Sequence, residues 1–379
     1  MDFALTEEQE MFRRSARDFA RAELEEQAKE LDQSHRVALD SLKKLGQLGY
    51  LGMGVPETYG GIGADALSYA IVMEELSRAC ASTSTAVSVQ NSLVEHPIVE
   101  FGSEEQKREY LPRLASGEWM GAFALTEPES GSDAGALKTT AQLQGDGYLL
   151  NGTKRFITNA AFADLFVVFA ATAPEQGKHG VSCFLVERAA PGFTVGKEED
   201  KMGIRGSSTC ELHFQGCPVP AGQLLGEVGA GFRMALSTLD AGRIGIAAQA
   251  LGIAQAALEE SVSYARERQA FGRAIARFQA IQFLLAEMRT KVEAARLLVY
   301  QAAWKKDQGQ NYIAEAAIAK LYASEIASQV ADAAVQIHGG YGYIKDYKVE
   351  RLYRDARITR IYEGTNEIQK LIIAREMLA

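Results

Sequence analysis

Near the C-terminal end, Arg360-Ile361-Tyr362-Glu363-Gly364-Thr365-Asn366-Glu367-Ile368-Gln369 sets a carboxylate after an apolar and aromatic pair and just before a glycine. A side chain on such a loop can project into a cleft. Partial desolvation by Tyr362 would raise its pKa toward neutrality, as a general base requires. The plain alternative is an exposed Glu beside a helix N-terminus, where negative charge is also favourable. The residues alone leave both open. A second stretch, Phe123-Ala124-Leu125-Thr126-Glu127-Pro128-Glu129-Ser130-Gly131-Ser132-Asp133, offers a short strand of backbone donors and a hydroxyl, or simply a loop between domains. Phe156-Ile157-Thr158-Asn159 puts an aromatic ring near a hydroxyl, or is an edge strand with an exposed Thr. Asp240 and Arg243 read either as a polar pair facing a ligand or as a helix cap and its first turn.

The elements that must position these residues fall into three parts. Residues 1–120 read as helices. Thr6 to Gln9 and Ser103 to Gln106 both fit capping boxes, and Phe12, Ala16 and Phe19 follow the first at helical spacing. Residues 121–227 read as short strands. Gly145-Asp146-Gly147 is a turn, Asn151-Gly152 predicts a hairpin, and Leu165–Ala171, Val181–Val186 and Thr209–Phe214 have strand character. From residue 228 to 379 the chain is alanine-rich. Segments 244–268, 275–306 and 312–338 predict long helices that pack as a bundle. Thr365 or Asn366 caps a final helix from Glu367. The fold class is therefore α+β: an N-terminal helical domain, a middle β-barrel or sandwich, and a C-terminal four-helix bundle.

The chain has 379 residues and a net charge of −9, which argues against nucleic-acid binding. No run approaches the ~18 apolar residues of a membrane-spanning helix. The acidic start MDFALTEEQE does not read as a signal peptide, so a cytoplasmic location is expected, or the mitochondrial matrix for a processed chain. Cys80, Cys183, Cys210 and Cys217 form no CxxC pair and lie at no zinc-finger spacing, so free thiols and no metal are expected. Gly226, Gly229 and Gly231 have the wrong order for a dinucleotide fingerprint, and there is no Walker A loop.

Ile361-Tyr362-Glu363-Gly364-Thr365 resembles the catalytic-base motif of the acyl-CoA dehydrogenase family. Thr126-Glu127-Pro128-Glu129-Ser130-Gly131-Ser132-Asp133 resembles that family's flavin and substrate signature, and Gln336-Ile337-His338-Gly339-Gly340-Tyr341-Gly342 a third motif. The similarity spans essentially the whole chain, closest to the short-chain, butyryl-CoA members. It implies FAD as cofactor, held along Phe123, Leu125 and Thr126, with Ser132 near its phosphate or the substrate arm. Phe156 stands where many members have Trp and would pack against the ring; Thr158 would reach N5. Arg268, Phe271 and Gln279 would reach the nucleotide of a neighbouring subunit, where an Arg fork suits pyrophosphate. Gly339 and Gly340 would let backbone approach the ADP portion. Gln336, Thr365 and Glu367 take adjoining roles. Asp240 and Arg243, with Ser132, Tyr362 and Gly364, would hold the acyl-CoA. His338 receives no chemistry.

The mechanism so implied is α-proton abstraction by Glu363 with β-hydride transfer to the flavin. The product is a trans-2-enoyl-CoA, and electrons pass on to an electron-transfer flavoprotein. Some relatives place the base in the helix that holds Gly242; Gly there and Glu at 363 point to the short- and medium-chain branch. Ser82-Thr83-Ser84-Thr85 supplies no cation for a distal carboxylate, so a neutral tail such as butyryl is expected. A branched short-chain or medium-chain substrate is the near alternative; an acyl-CoA oxidase or a non-catalytic flavoprotein is the more distant one. The family habit is a homotetramer.

Overall fold

The computed structural model describes residues 4–378, so the reading of the first three residues lies outside it. The N-terminal part holds α1 (Glu7–Phe19), α2 (Gln27–Ser34), α3 (Leu39–Gln47), α4 (Ala66–Ala79), α5 (Ala81–Ser88), α6 (His96–Phe101) and α7 (Glu104–Ala115). Both expected capping boxes are formed: Thr6 and Ser103 each accept the N3 amide while Gln9 and Gln106 reach back. Between α5 and α6 the helix widens into a seven-residue π segment, Val89–Glu95, buried throughout. Such widenings gather at functional sites, and this one borders the cavity described below.

The middle part holds β1 (Gly121–Ala124), β2 (Thr140–Gln144), β3 (Gly147–Thr158), β4 (Leu165–Ala171), β5 (Val181–Glu187), β6 (Phe193–Glu198), β7 (Thr209–Pro220) and β8 (Leu224–Leu225). They form one sheet in the order β6-β7-β3-β2-β4-β5-β8, with β1 added in parallel to β4. Among the described residues this path does not close into a barrel. β4 alternates strictly. Phe166, Val168 and Ala170 enter a core inside the β domain, while Leu165, Val167 and Phe169 enter a second core shared with flanking helices. The expected hairpin at Asn151-Gly152 is not formed. Gly145-Asp146 makes the turn, and Asn151-Gly152 is a bulge within β3, where the register against β7 shifts. Asn151 Oδ1 accepts the Gly216 amide at 2.7 Å, and a Cβ at Gly152 would strike Thr139. The pair thus carries the strand past an obstruction and does not reverse it.

The C-terminal part holds α8 (Gly231–Glu267), a small hairpin β9 (Gln269–Ala270) and β10 (Arg273–Ala274), α9 (Gln279–Asp307), α10 (Ile313–His338), α11 (Lys348–Ile358) and α12 (Asn366–Leu378). α8, α9 and α10 pack on one another with α11 against α8 and α10. α8 begins at Gly231, well before the expected 244, and spans about 55 Å. Asp240 is therefore inside the helix and is not its cap. Residues 241–254 of α8 are buried without a break, because α4, α5 and α10 surround it. Small residues make that possible: a Cβ at Gly252 would collide with the Glu74 carbonyl of α4. One continuous core joins α1, α3, α4, α8, α9 and α10, so the two helical parts are a single packed body.

Candidate active site

Glu363 sits in the loop between α11 and α12 at φ 50°, a left-handed conformation unusual for a side-chain-bearing residue, and Gly364 follows at φ 89°. Thr365 Oγ1 accepts the Ile368 amide at 3.4 Å and caps α12. Gln369 Nε2 donates to the Gly364 carbonyl at 2.8 Å, which ties the turn back to the helix it precedes. The twist swings the Glu363 side chain into a cavity lined by Thr85, Ser88, Val89, Leu93, Phe123, Leu125, Thr126, Ser132, Phe156, Thr158, Arg243, Tyr362, Glu363 and Gly364. Ten of the expected site residues meet there.

Within that cavity Glu363 Oε2 is shut off from solvent and has no hydrogen-bond partner. Burial pushes the carboxyl up to about 7, against the opposing pull of Lys320 and Arg243. An uncompensated carboxylate tuned to neutrality is what general-base chemistry calls for. The neighbouring Tyr362 hydroxyl donates to Gln249 Oε1. Gln249 Nε2 in turn donates to Ala81 O, Ser84 Oγ and Thr85 Oγ1 at 2.8–3.1 Å. Tyr362 is thereby locked, and burial holds its hydroxyl far above the ordinary range. Arg243 is buried and ion-paired with Asp240 three residues before it, with its Nε unpartnered.

The opposite wall is built by β1 and β3. Phe156, also at positive φ (59°), keeps 58% of its surface exposed, with the Arg155 guanidinium 5.2 Å over its ring. A buried ion pair lies near it, joining Glu127 of the second motif to Lys154, which no motif singles out. Lys154 Nζ donates to Glu127 Oε1 at 2.7 Å and to the Leu125 carbonyl at 3.1 Å. Glu127 also accepts the Lys138 and Thr139 amides at 2.6 and 3.0 Å. Burial lowers Lys154 to about 8 with Glu127 opposing; for Glu127 burial raises the pKa, but Lys154 and these donors outweigh it. The pair fixes the backbone at Leu125-Thr126. A flat apolar bed, two threonine hydroxyls and a rigid backbone edge fit an isoalloxazine ring.

Other expected residues lie elsewhere. Arg268, Gly339 and Gly340 line a separate open cleft between the ends of α8 and α10, where the Arg268 guanidinium lies 5.2 Å over the Tyr341 ring. Phe271 stands 95% exposed at the tip of the β9–β10 hairpin, and Gln279 opens α9 in solvent. Gln336 and Glu367 are exposed, and Thr365 serves as a cap; none of the three lines the cavity of Glu363. His338 is stacked on Tyr264 at 4.1 Å, with Nδ1 2.8 Å from the Ala334 carbonyl, a packed side chain as expected. All four cysteines are free and buried, and the described residues hold no group of metal-ligating side chains. Among the described residues no helix is long and apolar enough to cross a membrane.

A carboxylate on the α11–α12 loop, sharing a cavity with residues of the β domain, fits a flavin-dependent oxidoreductase site, and family comparison agrees. Residues 6–118, 122–217 and 229–378 match the N-terminal, middle and C-terminal domains of acyl-CoA dehydrogenase. The chain belongs to the acyl-CoA dehydrogenase family, an oxidoreductase family whose cofactor is FAD. It is 53% identical to the human mitochondrial short-chain specific acyl-CoA dehydrogenase, over 99% of this chain and 91% of the relative. Butyryl-CoA dehydrogenase from Megasphaera elsdenii superposes with a TM-score of 0.98 at 47% identity, over the full length of both chains. A chain from a structural study of the electron transferring flavoprotein of Acidaminococcus fermentans superposes with a TM-score of 0.99 at 51% identity, again over both full lengths.

Proposed function

We propose that this protein dehydrogenates a short, neutral acyl-CoA of the butyryl type to its trans-2-enoyl thioester, with Glu363 as base. The observation that carries the reading is the buried, unpartnered Glu363 Oε2, with its pKa raised to about 7, facing the wall of Phe123, Leu125, Thr126 and Phe156. FAD, bound on that wall, supplies the hydride acceptor. Glu363 removes the α-proton, and its own backbone N–H, directed at the thioester carbonyl, stabilises the developing enolate charge. Phe123, Leu125, Thr126, Phe156 and Thr158 would hold the ring, and Ser132 the phosphate or the substrate arm. Asp240, Arg243, Tyr362 and Gly364 would bind the acyl-CoA, Asp240 and Arg243 through its CoA arm.

The short-chain assignment rests on the cavity lining. Val89 and Leu93 of the π segment line it, together with Thr85 and Ser88. Arg243 is the cationic side chain among the lining residues, and Asp240 already pairs it, so a distal carboxylate would lack a partner. The remote, exposed positions of Arg268, Phe271 and Gln279 support their service to a neighbouring subunit's FAD, and hence a homo-oligomer of the tetrameric kind. Gln336, Gly339, Gly340, Thr365 and Glu367 would complete the nucleotide contacts of the assembly. The likeness to a chain from a structural study of an electron transferring flavoprotein supports such a protein as the electron acceptor. Anaerobic titration of the purified yellow protein with butyryl-CoA tests the reading. Bleaching of the oxidised-flavin band is expected. Bleaching only by longer or branched thioesters would move the substrate, and no bleaching by any of them would overturn the function.

A further inference from the structure

The loop that carries Glu363 is gripped from one face of α10. Lys320 Nζ donates to the Gly364 carbonyl at 2.7 Å and to Asn366 Oδ1 at 3.1 Å. One turn further on, Ser324 Oγ donates to the same Asn366 oxygen at 3.1 Å. Glu325 Oε1 accepts from Asn366 Nδ2 at 2.9 Å and from Arg360 Nε at 3.1 Å. α10 therefore holds both ends of the segment 360–366, and at its centre Lys320 shares the Gly364 carbonyl with Gln369.

Lys320 is wholly buried, and no carboxylate stands in ion-pair contact with it among the described residues. Its two partners are neutral oxygens. A buried ammonium with only neutral acceptors costs more stability than an apolar side chain of the same length, so packing does not explain it. Burial lowers Lys320 to about 7, and the Glu363 carboxylate is the charge that most opposes that fall.

We propose that Lys320 is a positioning residue for the base: its ammonium holds the left-handed Glu363–Gly364 turn through the Gly364 carbonyl and presents a positive charge to the Glu363 carboxylate from the α10 side. The inference rests on Glu363 being the base and assigns a role to a residue outside the substrate cavity. Other charged and titratable groups face the pair from every packed element. Arg243, ion-paired with Asp240, lies on α8, and Tyr69 on α4; Tyr362 is adjacent in the chain, Glu325 lies on α10 and Glu367 on α12. Lys320 and Arg243 are the two cations that pull Glu363 down, and Arg243 is already engaged by Asp240. Lys320 is also the stronger of the two on Glu363. Its removal has two distinct consequences. The turn loosens, which slows the reaction, and the carboxyl needs a higher pH to ionise, which moves the acidic limb of the rate profile upward.

The test is anaerobic flavin reduction by butyryl-CoA, followed from mildly acidic to mildly alkaline pH in the FAD-loaded wild type, Lys320→Met, Lys320→Gln and Lys320→Arg. Lys320→Met should bleach about a hundredfold more slowly, the scale of loss from slight misplacement of a catalytic group. Its acidic limb should lie at higher pH. Lys320→Arg should bring the limb back toward the wild type, because the charge is kept. If Lys320→Met does not retain FAD, Lys320→Gln, which keeps a donor for the Gly364 carbonyl and loses the charge, should still move the acidic limb to higher pH, with a smaller loss of rate. A slowed variant whose limb has not moved would overturn the proposal, since a merely structural role predicts that. A wild type that no acyl-CoA bleaches would instead remove the functional reading, a result distinguishable from an unmoved limb in a bleaching enzyme.

Discussion

The carboxylate of Glu363 occupies the space that a side chain at Gly242 would need: a Cβ built on Gly242 collides with Glu363 Oε2 and comes within 3.2 Å of Leu93 Cδ2. The base on the α11–α12 loop and a side chain on this turn of α8 exclude each other. Gly242→Ala should therefore push the Glu363 carboxylate, the far end of a flexible side chain on the cavity, off its position, with little cost in stability. The expected result is a fall in kcat of tenfold or more, on the order of what a small displacement of a catalytic group costs. FAD content should be unchanged, because Gly242 does not face β1 or β3. Flavin absorbance per protein and single-turnover bleaching measure the two effects separately; a variant with wild-type turnover would contradict the exclusion.

Glu363→Gln keeps the shape of the side chain and removes its basicity. FAD should remain bound while reduction by butyryl-CoA falls by about 10²–10⁴-fold, the usual worth of a general base. In the wild type the sign of the pH dependence follows from the raised pKa. The carboxyl is inactive when protonated, so the reduction rate should rise with pH through about 7 and then level. A flat profile across neutrality, or bleaching of Glu363→Gln at the wild-type rate, would remove Glu363 from its role.

Much of this site is legible in the amino-acid sequence. Glu363, Tyr362, Phe123, Leu125, Thr126, Phe156, Thr158, Ser132 and Arg243 line one cavity, and it is the resemblance of their motifs to the family's that implies a shared site. Two lysines escape such a reading, because a lysine is taken as solvent-facing by default. Yet Lys320 falls on the same stripe of α10 as Ala316, Ala317, Ala323, Ser324 and Ala327, the spacing of a buried face. That periodicity is a signal that could flag it. Lys154 has a weaker one, since burial along β3 is irregular around its bulge. The early start of α8 is hidden because Gly242 and Gly245 look like helix breakers. They are there because Glu363 and Tyr69 press against the helix, a tertiary fact that no local pattern holds.

The pairing of Arg243 with Asp240 leads to a prediction on substrate choice. A glutaryl chain would bring a second carboxylate into a cavity with no free cation among its lining residues. Desolvating that charge unpaired costs several kcal/mol. Butyryl-CoA should therefore be favoured over glutaryl-CoA by a factor of about 10² or more in kcat/KM. Initial rates with a flavoprotein-substituting dye check this, and comparable values for the two substrates would show that a cation reaches the cavity.

The Lys154–Glu127 pair lies behind the cofactor wall, and its loss should be felt there. Both side chains are buried, and Lys154 binds the Leu125 carbonyl directly. Lys154→Met leaves the Glu127 carboxylate buried without its cation, which typically costs about 3–5 kcal/mol. Urea unfolding should show that loss at neutral pH. Glu127 is held below its ordinary value, so the pair's contribution is present above the unfolded carboxyl range and fades as pH falls through the lower folded one. The difference between wild type and Lys154→Met should accordingly shrink on acidification. Because Leu125 and Thr126 line the cavity, the variant should also release FAD more readily at neutral pH, seen as a lower flavin-to-protein ratio after gel filtration. Unchanged stability with normal flavin retention would mean that the strand holds its position without the pair.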